Sequence, residues 1–323
     1  MFRKILAVAL GAVLSSGAAM AQTYPSRNIT MIIPYAAGGP TDTVGRLIAE
    51  AMGRDLGQTI VIENVNGAGG TLGSARVATA APDGYTILLH HFGLASADTL
   101  YRRLPYKTLE AFEYVGLVTD APMTLIARAN FPATDLKALV DYVKANKERV
   151  TMANAGLGSA SHLCGMLFQS AIGTQVTTVP YTGTGPAMTD ILAGQVDIMC
   201  DQTTNTMTQI QGNRVKAYAI TTPQRLSLLP NLPTGTEAGL PNFQVAVWHG
   251  VYAPKGTPAA VVNRLNAALK VALKDRTVIE RFAALGTAPS PESDASPAAL
   301  KAKLEGDVPR LGALIKAAGQ YAD

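Results

Sequence analysis

Two segments of this chain run from an apolar, strand-like stretch through glycines into the start of a helix. They are Pro34-Tyr-Ala-Ala-Gly-Gly-Pro-Thr-Asp42 and Asn154-Ala-Gly-Leu-Gly-Ser-Ala-Ser-His162. Glycines at such a junction let the backbone turn with its N–H groups outward. The first turn of the following helix leaves further N–H donors unpaired at the positive end of its dipole. Together these features suit an anion. The candidate ligand contacts are Tyr35, Ala36, Ala37, Gly38, Gly39 and Thr41 in the first loop, and Gly158, Ser159, Ala160 and His162 in the second. A side chain at Gly38 or Gly39 is expected to fill the space where a carboxylate approaches. Asp42 is a poor direct partner for an anion. Thr41 or Asp42 can cap the helix; Asp42 can also orient the loop or meet the ammonium group of an amino acid. Ser159 or Ser161 can cap the second helix or donate a hydroxyl.

A third loop, Pro180-Tyr-Thr-Gly-Thr-Gly-Pro186, adds Tyr181, Thr182 and Gly183 as candidates. The strand end Cys200-Asp-Gln-Thr-Thr204 adds Asp201. His90 and His91 close another apolar stretch; His91 is the candidate to line a cleft, and a structural histidine is expected in the pair. Two facing helix-start sites match a ligand with a carboxylate for each, or one carboxylate and another polar group.

Other chemistries find less support. Ser159 and His162 lie three apart at a helix start, which makes a hydrolase the alternative, but no G-x-S-x-G elbow exists. No Lys follows Gly39, so there is no P-loop. Gly67-Ala-Gly-Gly-Thr-Leu-Gly73 is one residue too long for a dinucleotide fingerprint. The spacing of Cys164 and Cys200 matches no zinc pattern. A binding role without catalysis, cofactor or metal is therefore expected.

Arg3 and Lys4, the apolar run Ile5–Leu14 and Ala19-Met-Ala21 read as a secretory signal peptide over residues 1–21, cleaved after Ala21 into the periplasm. Without Arg3 and Lys4 the chain carries 25 Lys+Arg against 23 Asp+Glu. That near-neutral balance, with no basic cluster among aromatics, argues against nucleic acid. In an oxidising compartment Cys164 and Cys200 read first as a disulfide, with two separate buried thiols as the alternative.

The elements that must position these loops alternate. Strands are expected at 29–34, 59–64 and 85–90 with helices at 42–56 and 69–80 between them, an order that implies a parallel sheet covered by helices. The theme repeats: strands at 150–154, 177–180 and 196–201, helices at 159–172 and 186–193. Tyr114–Val118 and Met123–Ala127 can form one crossover, and the return lies between Ala217 and Ala253. The helical tail, 257–318, has no partner strands and packs back on the first unit. The expected lobes are 22–121 with 247–323, and 122–246. In open α/β sheets, ligands sit beyond the carboxyl ends of the strands, where the four loops fall.

The chain resembles the Bug family of extracytoplasmic receptors associated with tripartite tricarboxylate transport. The matching segments begin with Tyr24-Pro-Ser-Arg27, Ile33–Asp42, Glu63-Asn64, Gly67-Ala-Gly-Gly70 and Pro82-Asp-Gly-Tyr-Thr86. They continue with Pro180-Tyr181, Gly194-Gln-Val-Asp197, Leu229-Pro230 and Pro233-Thr234. The last are Glu237-Ala-Gly-Leu-Pro241, Trp248-His-Gly250 and Ala253–Pro258. The resemblance implies an α/β fold of the type II periplasmic-binding-protein kind, two lobes with mainly parallel sheets around a ligand cleft. It implies that Tyr35–Asp42 and Gly156–His162 hold a carboxylate through backbone groups and bridging waters. More variable residues near Tyr181–Thr184 and Asp201–Thr203 would meet the distal end. Ligands of the family include amino acids, nicotinate-type compounds, citrate, other dicarboxylates and aromatic acids. The implied partner is a tripartite tricarboxylate permease or, alternatively, a two-component sensor kinase; a monomer is expected. The cysteines look like those of a family subset, which implies a disulfide between a helix and a strand of the second lobe. No Arg lies in either main loop, which argues against a highly charged tricarboxylate.

Overall fold

The computed structural model describes residues 24–319 and 321. The expected signal peptide and its cleavage site lie outside these residues. The first half comprises β1 (Ile29–Ile33), α1 (Pro40–Leu56), β2 (Ile60–Asn64), α2 (Thr71–Ala78), β3 (Thr86–His91), α3 (Ala97–Leu100) and β4 (Phe112–Arg128). Then follow α4 (Leu136–Ala145), β5 (Thr151–Asn154), α5 (Ala160–Ile172), β6 (Thr177–Pro180), α6 (Thr184–Ala193), β7 (Ile198–Gln202), α7 (Thr203–Gln211) and β8 (Val215–Ile220). The chain ends with β9 (Ala246–Pro254), α8 (Ala259–Leu273), α9 (Arg276–Ala284) and α10 (Pro297–Ala318).

The strands lie in the order β2-β1-β3-β9-β4-β7-β5-β6, with β8 also paired to β4. β1, β2 and β3 are parallel, as are β5, β6 and β7. The antiparallel strands β4 and β9 join the two parallel groups. Strands such as β1 and β3 are buried on both faces, which is why they read as unbroken apolar runs. Helices cover them at close range. A Cβ on Gly45 of α1 would lie within 2.4 Å of the Ile33 side chain, so glycine is what lets this helix sit so near the sheet.

β4 is the longest strand and serves both groups. Phe112–Pro122 pairs with β9, while Met123–Ala127 pairs with β7 and Thr124–Arg128 with β8. The two strand-like pieces expected there are thus one continuous crossover. Two register shifts against β9, at Tyr114/Gly116 and Leu117/Thr119, bend it, as bulges do. α10 braces this crossing: Lys303 pairs with Asp120 at 3.3 Å, and the Trp248 indole donates to Asp307 at 2.7 Å.

Boundaries differ from expectation mostly by one or two residues. The exceptions are α3, α4, α7 and β8, which the sequence reading did not place. α2 starts at Thr71 rather than Gly69, because Gly69 and Gly70 take left-handed conformations.

Cys164 of α5 and Cys200 of β7 form a disulfide with a Cα–Cα distance of 5.9 Å, both residues fully buried. It closes a loop 36 residues apart in sequence. Chain-entropy arguments give such a link about 4 kcal/mol. Urea unfolding of the Cys164→Ala/Cys200→Ala variant should therefore show a loss of about 3–4 kcal/mol. Thiol counting on the unfolded, unreduced wild type should return no free thiol.

Candidate functional site

Helix starts dominate the space between the two parallel groups. One cavity is lined by Gly39, Pro40 and Thr41 at the start of α1, Ser159, Ala160 and Ser161 at the start of α5, Thr184 at the start of α6, and Gln202 before α7. Tyr35, His91, Ala155 and Asp201 complete the wall. Each helix follows a strand, so its N-terminus lies beyond the strand's carboxyl end. No side chain caps α1, α6 or α7, whose N-caps are Gly39, Gly183 and Gln202. Unpaired N–H donors and positive dipole ends therefore converge from both sides. No lysine or arginine is part of the lining.

Around α5 the donors are already engaged. Ser159 accepts from the His162 N–H at 3.2 Å, Ser161 from the Ala155 N–H at 2.8 Å, and Asn154 from the Gly156 N–H at 2.8 Å. His162 Nδ1 accepts from the Gly158 N–H at 3.2 Å. Ser159 is thus the expected cap. Its hydroxyl accepts from the helix backbone and contacts Ser161 at 3.1 Å.

The first loop corrects one expectation. Neither Thr41 nor Asp42 is the cap, because the helix begins earlier: Gly39 is the N-cap and Pro40 occupies the first turn. Asp42 orients the loop instead. Its carboxylate accepts from the Gly38 N–H at 3.0 Å, from Arg46 at 2.9 and 3.0 Å, and from the Asn64 amide at 2.9 Å. Burial pushes this carboxyl up, but the Arg46, Gly38 and Asn64 hydrogen bonds outweigh it and hold it below 3.8. The Thr41 hydroxyl faces His249 at 3.4 Å.

Of the residues singled out in the sequence, Tyr35, Gly39, Thr41, His91, Ser159, Ala160 and Asp201 line the cavity. Ala36, Ala37, Gly38, Asp42, Gly158, His162, Tyr181, Thr182 and Gly183 are not part of its lining. The Tyr181 hydroxyl donates to Asp190 at 2.7 Å. Ala36 N–H donates to the Thr182 carbonyl at 3.0 Å, joining the first and third loops. A Cβ on Gly183 would lie 3.0 Å from Ala36, and one on Gly39 3.6 Å from the Gly185 nitrogen. Gly39 thus faces the opposite loop, and Gly38 would meet nothing within 4 Å. Pro40 and Ala155 were not named as contacts; Thr184 and Gln202 fall in the stretches Tyr181–Thr184 and Asp201–Thr203 that the family resemblance assigns to the distal end of a ligand. The free space at the centre is about 10 Å³, room for roughly one water. A multi-atom ligand therefore enters only with the two sides further apart.

Beneath the cavity lie three buried histidines. His91 stacks on Tyr35 at 4.8 Å between ring centroids, with His90 at 4.9 Å and His249 at 5.8 Å from it. Burial pushes His90 and His249 down to about 3 and His91 well below 6.5. All three are neutral at pH 7.

Two predictions follow from this geometry. Gly185 lies in the first turn of α6 outside the left-handed region, yet a Cβ there would meet Ala37, Gly38 and Gly39 backbone atoms at 3.1 Å. Gly185→Val should leave the fold intact by circular dichroism but weaken ligand affinity at least tenfold by calorimetry, about 1.4 kcal/mol. The histidines give a pH signature. Between about pH 6.5 and 3 an unfolded histidine binds a proton that the folded one does not, so stability falls as pH falls. Each contributes up to about 1.4 kcal/mol per pH unit. Urea unfolding at pH 6, 5 and 4 should show a flatter slope by about that amount for His249→Gln.

The chain is similar to known proteins. Residues 44–320 match the family described as tripartite tricarboxylate transporter family receptor. A UPF0065 protein of Agrobacterium vitis is 50% identical over 318 residues, 98% of this chain and 92% of that protein. The solved structure of the periplasmic binding protein BugD is 49% identical with a TM-score of 0.91, covering 93% of this chain and 100% of the other. The malate-bound MatC of Rhodopseudomonas palustris is 41% identical with a TM-score of 0.88, covering 90% of this chain and 100% of the other. By this family match and these relatives, the chain belongs to the Bug family of periplasmic receptors for tripartite tricarboxylate transport.

Proposed function

We propose that this receptor captures a small carboxylate between two lobes, 22–121 with 247–323 and 122–246, and hands it to a tripartite tricarboxylate permease. The observation that carries the reading is the meeting of four helix N-termini at one cavity, three of them without a side-chain cap. An anion there meets helix-start donors that no N-cap side chain engages at α1, α6 and α7. The malate in the MatC structure supports the same ligand class. The lobe division is supported by β4, which exchanges β9 for β7 and β8 between Pro122 and Met123. The reading assigns no chemical conversion to the site, since the Ser159 hydroxyl is engaged in capping.

Thermal unfolding of the mature protein with a panel of small acids and their amides tests this. Saturation at a hundred times Kd stabilises by about 2.7 kcal/mol. At least one acid should raise the transition while its amide does not. Stabilisation by neutral sugars or amides, with none by acids, would overturn the ligand class.

A further inference from the structure

The cavity wall is asymmetric. On one side stand donors. The Gly93 N–H donates to His91 Nδ1 at 3.0 Å, so the proton of this neutral ring sits on Nε2. The uncapped start of α1 lies beside it in the lining. The other side carries side-chain acceptors as well, beside the uncapped starts of α6 and α7. Asp201 ends β7 and is only 1% exposed, and Gln202 beside it is buried to the same degree. One Asp201 oxygen accepts from the Asn205 amide at 2.6 Å. The Gln202 side-chain oxygen is buried with no hydrogen-bond partner among the described residues. The Thr184 hydroxyl makes no well-formed hydrogen bond, though it faces Asp201 closely enough to stabilise its charge.

A buried acid is out of place in a receptacle built only for negative charge. Burial pushes the Asp201 carboxyl up to about 6, offset in part by Asn205, the Gln202 N–H and Thr184, so it remains mostly ionised at neutral pH. An ionised ligand carboxylate turned toward it would meet like charge in a poorly solvated space. A hydroxyl or ammonium group turned toward it would gain a charge-assisted hydrogen bond and could also satisfy the orphaned Gln202 oxygen.

We propose that Asp201 is a specificity-determining residue, which selects carboxylates bearing a hydrogen-bond donor on the carbon chain over the same acids without it. This rests on the carboxylate reading above and adds an acceptor to it. The unpartnered, buried Gln202 oxygen is the independent sign that the ligand brings a donor to this wall. The Asp201 side chain recognises that donor, while the uncapped start of α1, with the His91 Nε2–H beside it, holds the carboxylate.

The test is calorimetric titration of the mature, ligand-stripped protein with matched probes. One set is succinate, malate and aspartate; the other is glutarate, 2-hydroxyglutarate and glutamate. A hydroxyl-bearing or amino-bearing member should bind at least tenfold tighter than its unsubstituted parent. In Asp201→Asn that ratio should shrink at least fivefold, with the parent acid binding as well as before or better. The loss should be larger for the ammonium than for the hydroxyl, because only the ammonium loses an opposite charge. A merely structural role would weaken all members alike and leave the ratio unchanged. An unchanged ratio, or a parent acid that binds as tightly as its substituted partners in the wild type, overturns the inference while leaving the carboxylate reading intact. Stabilisation by amides and by none of the acids would instead remove the reading beneath it.

Discussion

Backbone N–H groups at helix starts must find acceptors, and the site depends on where this chain leaves them without one. Four helices begin directly after strands and aim at one cavity. The loop before α5 spends its own side chains on its own donors: Asn154, Ser159, Ser161 and His162 each accept from a nearby backbone N–H. The starts of α1, α6 and α7 have no such caps. The donors offered to an anion at the cavity are therefore backbone groups rather than guanidinium or ammonium groups. The nearest arginine to the first loop, Arg46, is committed to Asp42 and Asn64, where it fixes the loop's shape.

Glycine makes the meeting of the two sides possible. Gly39, Gly183 and Gly185 bring the first and third loops into backbone contact, sealed by the Ala36–Thr182 hydrogen bond. Gly69, at φ +59°, lies so close to the second loop that a Cβ would fall 1.7 Å from the Leu157 carbonyl oxygen. These contacts connect residues whose only covalent links run through β4, β9 and the chain between them. β4 changes partners at Pro122–Met123 and β9 begins at Ala246, so on the proposed two-lobe reading movement between the sides is absorbed at these two places. The Lys303–Asp120 and Trp248–Asp307 contacts hold α10 against that crossing, so the C-terminal helix is part of the mechanical frame.

Much of this was legible in the sequence. The buried parallel strands announced themselves as apolar runs, and the glycine loops after them pointed to the helix starts. The disulfide partners and the crossover in 114–127 were also readable. What escaped has physical reasons. α7 is Thr203-Thr-Asn-Thr-Met-Thr-Gln-Ile-Gln211, rich in residues that favour caps and turns over helix interiors; packing holds it helical. α4 carried a readable signal in Asp135, which accepts from the Ala138 N–H at 2.8 Å as its N-cap. Tyr181 is an aromatic beside a glycine loop, yet its hydroxyl is claimed by Asp190, a partner nine residues on. Sequence identifies which loops approach a site but not which side chains turn into it. Thr184 and Gln202 do turn in, and Tyr181 does not.

The neutrality of the histidines and the absence of a clamp bear on how such a site can work. A helix terminus contributes 0.3–1 kcal/mol to an exposed charge and up to about 2 kcal/mol in a partly buried setting. Several together supply only a few kcal/mol, and only when water is excluded. On the proposed reading tight capture requires the two sides to close, because closure lowers the local dielectric and multiplies each donor's effect. Parting them readmits water and weakens every contact at once. Charging His91 would change that balance, but Tyr35, His90 and His249 surround it and burial keeps it unprotonated. The cleft thus ties its hold on an anion to its own conformation, which is the property a receptor needs if it is to give up what it carries.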